Sequence, residues 1–180
     1  MKKFSLFVAL AVLAAAPALV PTNADAQTAT MKSSQTTAPM FVQMMAMSDM
    51  FEIQSSQAAL KNSKDAEVQK FAQTMIDHHT KMSAELKAAV QAGNVNTQIP
   101  MSLTSEKAQA LQQLASLSGE KFDAMYWKAQ VQGHEEALKL AQGYAKSGDN
   151  AALKQHAEKG VPIIEQHLKM AQKMMAGGKS

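Results

Sequence analysis

Four long stretches of this sequence repeat their apolar residues at intervals of three and four, which is the spacing of one face of an α-helix. These stretches are rich in Ala, Gln, Lys, Leu and Met, whereas the β-branched and aromatic residues typical of strands are scarce. The pattern predicts long helices over about 39–61, 65–91, 120–145 and 150–175, and a shorter helical stretch over about 104–117. Two short connections and one long one between the long helices favour an all-α fold, an antiparallel four-helix bundle with an extra short helical stretch before its third long helix.

The first 26 residues differ from the rest of the chain. Lys2 and Lys3 form a basic start, residues 4–20 are almost entirely apolar, and Ala24-Asp25-Ala26 fits a small-x-small cleavage site. An uncleaved membrane anchor is the alternative, but the apolar run is short for a span and Pro17 interrupts it. We therefore expect a signal peptide over 1–26 that is cleaved after Ala26, a flexible polar leader over 27–38, and a bundle domain over 39–176.

Charge and cysteine content exclude several classes of protein. The net charge is only +3 over 180 residues, and the basic residues are interspersed with acidic ones. Nucleic-acid binding would need a concentrated cationic face, so we expect none. The mature chain has no further apolar stretch of spanning length, so any association with the cell envelope should be peripheral. Because cysteine is absent, a metal site must use His, carboxylate or Met ligands.

Each predicted long helix carries one ligand-type residue on its apolar face. These residues are Glu52, His79, His134 and His167, in chain order. A buried ionised carboxylate is costly unless it is paired or bound to a metal, and neutral imidazole is the commonest metal ligand. The pattern therefore predicts a shared metal site in the core, for which Zn or Cu fits a His-rich ligand set better than Mg or Ca.

The alternative interpretation is a polar core whose side chains hydrogen-bond to one another. Tyr126 and Gln130 precede His134 at intervals of four on the same face, so the interior could complete its hydrogen bonds with or without an ion. If a metal binds, we expect Tyr126, Gln130 and Asp77 to support the ligands. Counted from the predicted turns, Glu52 should share a level with His134, and His79 with His167.

Residues beside the proposed ligands are expected to lie outside the core. His78 should lie at an interface edge or in solvent, and Glu165 and His156 should be solvated. The 14 methionines include Met44, Met45, Met47 and Met50 on the first helix, which could bind Cu(I), although filling of an irregular core is the favoured explanation.

Known catalytic patterns are missing. Di-iron bundles carry Glu-x-x-His on two helices, but here Ile76, Val131 and Ile164 stand three residues before the three inward histidines. This argues against a di-iron centre. No phosphate-binding loop, nucleophile elbow or His-Glu-x-x-His motif is present, so no catalytic residue is assigned.

Several longer stretches resemble the DUF4142 family of exported bacterial proteins. They are Asp49–Ile53, Phe71–Thr80, Phe122–Tyr126, Ala129–Val131, His134–Glu135 and Val161–Leu168, within about residues 40–172. The resemblance implies a ferritin-like helical bundle in the periplasm or at the envelope, with no assigned biochemical activity. It also implies that the four proposed ligands, Tyr126 and Gln130 occupy characteristic family positions. His78 and Gln54 depart from the pattern, because acidic residues are expected there.

The function expected from the sequence is that of an exported periplasmic bundle with a polar Glu/His interior that binds a transition metal without catalysis. The alternative is a structural or stress-related envelope interaction module with no metal. An enzyme is a third hypothesis, supported only by Tyr126 lying near His134.

Overall fold

A computed structural model of the chain describes residues 35–177, and these residues form five α-helices and no strand. The helices are α1 (Ala38–Asn62), α2 (Ala66–Ala92), α3 (Ser105–Ala115), α4 (Gly119–Ser147) and α5 (Ala151–Gly177). Their order, the short α3 and the absence of strands in the described part confirm the predicted all-α class. The predicted signal peptide and residues 27–34 of the predicted leader lie outside the described residues.

Side-chain caps fix where several helices begin. The Asp65 carboxylate accepts hydrogen bonds from two backbone N–H groups in the first turn of α2, and Thr104 Oγ1 accepts one in the first turn of α3. At α5 the cap is Asn150, whose Oδ1 accepts from the Leu153 N–H. The preceding residue, Asp149, accepts a hydrogen bond from the Tyr144 hydroxyl at 2.7 Å.

Each of the four long helices contacts two of the other three. α1 lies along α2 and α4 along α5, while α1 also contacts α4 and α2 contacts α5. The short helix α3 contacts α1 and α4. Since α1–α2 and α4–α5 are each joined by only three residues, both pairs run in opposite directions. Pro162 lies inside α5, which remains one helix from Ala151 to Gly177.

Two apolar clusters fill the space between these helices. One is built from the first half of α1, the second half of α2, the second half of α4 and the first half of α5, and includes Phe41, Leu86, Tyr144 and Ile164. The other lies towards the opposite end and includes Phe71, Met75, Leu114 and Phe122. A layer of buried polar side chains lies between them: Asp49, Glu52, Ser55, Ser56, His79, Gln130, His134 and His167.

The buried face of α1 passes through Val42, Met45 and Asp49. Met44, which was expected to help fill the core, is 46% exposed, and Ser48 is half-buried. The runs of neighbouring apolar residues on this helix allow more than one choice of stripe, and the packing selects the stripe that passes through Asp49. Among the described residues, no helix is long and apolar enough to cross a membrane.

Candidate metal centre

Three imidazoles from three helices meet in the polar layer. His79 of α2, His134 of α4 and His167 of α5 are each at most 2% exposed. One ring nitrogen from each lies within 4.8 Å of the chosen nitrogens of the other two. The ring centroids are 5.3–5.6 Å apart. The structure therefore places these side chains as one compact cluster.

His79 is held from behind by a carboxylate. Its Nδ1 lies 2.9 Å from Asp49 Oδ1, and Asp49 Oδ2 accepts a second hydrogen bond from Ser83 Oγ at 3.3 Å. Because an ionised carboxylate only accepts, His79 Nδ1 is the donor. The other ring nitrogen, Nε2, is buried and has no hydrogen-bond partner.

A backbone carbonyl orients His134 in the same way. Its Nδ1 donates to the Gln130 carbonyl at 2.7 Å, which fixes the proton on Nδ1, since a carbonyl cannot donate. Glu52 Oε1 lies 4.0 Å from the same nitrogen. His134 Nε2 is buried without a partner.

His167 is bonded through its outer nitrogen. Its Nε2 lies 2.8 Å from Nδ1 of the half-buried His78, and its Nδ1 is buried without a partner. Each of the three clustered rings is therefore bonded on one nitrogen and unpartnered on the other.

Burial and charge keep two of the rings neutral. Burial lowers the pKa of His134, more than the nearby Glu52 charge raises it. Burial, followed by the neighbouring histidines, lowers the pKa of His167 to about 2. Burial alone would also lower the pKa of His79, but the hydrogen bond and charge of Asp49, together with the Glu52 charge, outweigh it and leave this pKa raised.

The arrangement fits a metal ion. A neutral ring whose Nδ1 is protonated offers a lone pair at Nε2, so His79 and His134 can both direct lone pairs into the cluster. Buried polar atoms without partners are rare and costly, and an ion would satisfy all three unpartnered nitrogens together. Asp49 behind His79, and the Gln130 carbonyl behind His134, are the outer partners that metal-binding histidines usually have.

Glu52 lies beside this cluster, at the level of His134, as the turn count anticipated. Its Oε1 approaches the bonded Nδ1 of His134, whereas its buried Oε2 has no partner. A Cβ added to Gly133 would lie 2.6 Å from Glu52 Oε1, so the missing side chain at 133 makes room for the carboxylate. The compact group of candidate ligands consists of the three histidines, and the role of Glu52 as a direct ligand stays a prediction.

Two of the predicted supporting residues lie in or next to the polar layer, but they act differently from the prediction. The Tyr126 hydroxyl is bonded to Ser56 Oγ at 2.8 Å, and the Gln130 side chain donates to Ser55 Oγ at 3.2 Å. Burial raises the pKa of Tyr126, which keeps the phenol protonated. Gln130 supports the cluster through its backbone carbonyl, which a prediction based on side-chain type could not indicate.

Two predicted positions were wrong. Asp77 was expected to support the cluster, but it is exposed and accepts a hydrogen bond from Gln73. It stands two residues before His79, roughly 200° round the helix, and so faces away. His156 was expected in solvent but is 7% exposed, because it follows Leu153 by three residues on the buried side of α5.

Asp49 is the site residue that the sequence analysis missed. It precedes Glu52 by three residues, so it lies on nearly the same face of α1. Counting residues from the α1–α2 connection could have found it. Asp49 lies thirteen residues before the end of α1 and His79 lies thirteen residues after the start of α2, so the two side chains stand at the same level.

The methionines divide between core and surface. Met45, Met75 and Met82 are buried, in keeping with the favoured interpretation that Met fills the core. Met40 and Met44 of α1 are nearly half exposed.

Comparison with known proteins identifies relatives by sequence model and by fold. The family model described as a domain of unknown function (DUF4142) matches residues 21–174. A search of the curated proteins finds no significant match.

Solved structures of similar fold share little sequence with this chain. A DUF305 protein from Streptomyces coelicolor, described as a candidate secreted protein, has a TM-score of 0.67 and 15% identity over 82% of this chain and 96% of its own. CopM in its Cu(II)-bound form has a TM-score of 0.67 and 18% identity over 79% and 98%. A DUF305 fragment from Deinococcus radiodurans has a TM-score of 0.65 and 13% identity over 76% and 93%. At these identities the likeness shows the fold alone.

Proposed function

This chain belongs to the DUF4142 family, and we propose that it is an exported, non-catalytic protein that binds one divalent transition-metal ion in the core of a ferritin-like, antiparallel four-helix bundle. The observation that carries the proposal is a cluster of three buried histidines that bring one ring nitrogen each within 4.8 Å of the others, each ring having one nitrogen without a hydrogen-bond partner. His79, His134 and His167 are the ligands, Asp49 and the Gln130 carbonyl hold two of them in place, and Glu52 supplies negative charge beside them.

Charge balance favours a divalent ion. Asp49 and Glu52 are 1% and 2% exposed, and within residues 35–177 no lysine forms a salt bridge with either of them. With the three histidines in the neutral form that metal ligation requires, the two buried carboxylates would leave the interior with two negative charges, which is costly in a low-dielectric core. A 2+ ion on three neutral imidazoles cancels both. Imidazole nitrogen suits both Cu(II) and Zn(II), and Cu(II) stands highest in the affinity order of the divalent first-row ions.

The comparisons add a chemical precedent on the same fold, since one similar structure is CopM with Cu(II) bound. Its 18% identity transfers no ligand to this chain, and the proposal depends on the histidine geometry described above. Export, with the periplasm as destination, is supported by the basic and apolar residues 1–26 and the Ala24-Asp25-Ala26 site. Mass spectrometry of the protein recovered from the periplasmic fraction tests export and cleavage. The expected molecular mass is that of a mature chain starting at Gln27.

Metal titration tests the central claim. Protein stripped with a chelator should bind one equivalent of Zn(II) or Cu(II), and the Cu(II) form should show nitrogen hyperfine splitting in its electron paramagnetic resonance spectrum. His79→Ala and His167→Ala should abolish tight binding, while His156→Ala, which removes a buried imidazole outside the cluster, should retain it. Equal metal content in all four proteins would contradict the proposal.

A structural module without metal is the second candidate. It is favoured by hydrogen bonds in the same layer that join helices directly, such as Tyr126 to Ser56 and Gln130 to Ser55. Such a layer would fix the register of the helices by itself. This candidate predicts that neither chelator nor added metal shifts the melting temperature.

A further inference from the structure

His78 contacts the cluster from outside. It follows Asp77 and precedes His79 on α2, and its half-buried ring reaches across to α5. Its Nδ1 lies 2.8 Å from His167 Nε2, while the two ring centroids are 5.1 Å apart and the rings are inclined by 23°. Because the bonded nitrogens are much closer than the ring centres, the rings meet edge to edge, in the geometry of an in-plane N–H···N hydrogen bond.

A hydrogen bond between two neutral imidazoles has two forms. In one, His167 Nε2 carries the proton and donates it to His78 Nδ1, which leaves a lone pair on His167 Nδ1. In the other, His78 Nδ1 donates and His167 carries its proton on Nδ1, the nitrogen that is buried without a partner. Only the first form can bind a metal through the inner nitrogen of His167.

We propose that His78 is a positioning residue, which accepts the His167 Nε2 proton and so holds His167 in the tautomer that presents Nδ1 to the metal. The inference rests on the proposed function, since it concerns the third ligand of the same ion. Each clustered histidine then has its own acceptor on the nitrogen that faces away from the ion: the Asp49 carboxylate, the Gln130 carbonyl and the His78 ring.

The reason for a dedicated acceptor lies in the burial of His167. This residue is 0% exposed, so water cannot take the place of His78 at Nε2 without a rearrangement of the α2–α5 contact. Removing the acceptor would leave a buried N–H without a partner whenever the metal is bound. Metal binding requires the Nε2–H form of His167, whereas the metal-free ring can take either tautomer, so the loss is greater in the metal-bound state and appears as weaker binding.

Two variants of His78 separate a positioning role from simple packing. His78→Leu fills space but accepts no proton, whereas His78→Asp offers a carboxylate oxygen as acceptor. Zinc affinity should fall by roughly 10- to 100-fold in His78→Leu, the usual effect of losing an outer partner, and should return towards the wild-type value in His78→Asp. His156→Leu, a buried histidine of α5 outside the cluster, is the matched control and should bind as wild type.

Ring nitrogen chemical shifts supply a readout that packing would not move. In the zinc-loaded wild-type protein, ¹⁵N spectra should show His167 protonated at Nε2 and metal-bound at Nδ1, and His78 unprotonated at Nδ1. This measurement needs no variant, so it remains decisive if a substitution prevents folding.

The outcomes separate the two claims. Wild-type protein that binds no Zn(II) or Cu(II) contradicts the proposed function. Wild-type protein that binds zinc while His78→Leu binds equally well, or while His78→Asp is as weak as His78→Leu, overturns the inference about His78 alone. A zinc-bound His167 protonated at Nδ1 would also overturn it.

Discussion

Replacing Asp49 by Asn should change the pH dependence of stability in the metal-free protein. Asn keeps the shape of the side chain and an oxygen acceptor for His79 Nδ1, but removes the charge that stands 2.9 Å away. The raised pKa of His79 results from Asp49 and Glu52 outweighing burial. Without the Asp49 charge and its charge-assisted hydrogen bond, burial should dominate and lower the pKa of His79 below its ordinary value of 6.5.

The sign of the effect follows from proton uptake. In the wild type, the raised pKa of His79 contributes stability that is fully present below pH 6.5 and is lost as the pH rises through the folded-state value. In Asp49→Asn the unfolded chain takes up a proton below pH 6.5 that the folded chain refuses, so stability is lost as the pH falls. The wild-type advantage should therefore be largest at acid pH and smallest at alkaline pH.

The size of the effect follows from the pKa difference. Each unit by which the folded-state pKa of His79 falls is worth about 1.4 kcal/mol at pH values below both pKa values. The difference in free energy of unfolding between wild type and Asp49→Asn should thus be larger at pH 5 than at pH 8.5, by about 1.4 kcal/mol for each unit by which the substitution lowers the pKa of His79 within that range.

Urea denaturation of both proteins at the two pH values, with chelator present, measures this difference. Asp77→Asn is the matched control, because Asp77 is an exposed carboxylate two residues from His79. Its effect should stay within roughly 0.5 kcal/mol at both pH values, as for most surface substitutions. A gap between wild type and Asp49→Asn that is equal at the two pH values, or larger at pH 8.5, would refute the reasoning.

Three further predictions follow from the same layer. Zinc at about 100 times its dissociation constant should raise the free energy of unfolding by about 2.7 kcal/mol, and unchanged denaturation curves would contradict metal binding to the folded state. Gly133→Ala should lower the free energy of unfolding by roughly 1–3 kcal/mol, because the new Cβ would lie 2.6 Å from Glu52 Oε1. Adding Glu52→Ala to this variant should restore most of the lost stability. A double variant as unstable as Gly133→Ala alone would exclude this cause. Tyr126→Phe should lower the free energy of unfolding by about 0.5–1.5 kcal/mol, because the hydrogen bond to Ser56 is lost, and should leave zinc affinity unchanged. A tenfold weaker zinc affinity would show that the phenol acts on the metal.

The helices could be predicted closely because their limits are local. Caps such as Asp65 and Thr104 act within one turn, and each predicted boundary lies within two residues of the observed one. The choice of face on α1 could not be predicted as well. This helix has apolar or small residues on most sides in its first half, so only packing against the other helices decides that Met44 is exposed.

The candidate site was predictable in residue type but not in contacts. Histidine on the inward face of three helices is visible in the pattern, and the structure gathers all three. The outer partners are not visible in this way. The acceptor for His134 is a backbone carbonyl, and that for His167 is a ring on another helix, so neither is marked by the periodicity of its own helix.

Helix register explains why the polar side chains share one level. Asp49 lies thirteen residues before Asn62 and His79 thirteen residues after Ala66, so a three-residue connection places them side by side.

The same residue count on α4 and α5 places His134 and His167 at slightly different levels, and the reach of their side chains closes the difference. His134 lies thirteen residues before Ser147 and His167 sixteen residues after Ala151, an offset of roughly 4–5 Å along the helices at 1.5 Å per residue. The two rings still approach to 5.3 Å between centroids. Register on this side depends on the turn before α5, where Asn150 both caps the helix and donates to the Gly93 carbonyl at the end of α2. The position of His167 relative to His79 is therefore fixed by a direct link between their two helices as well as by the packing around them.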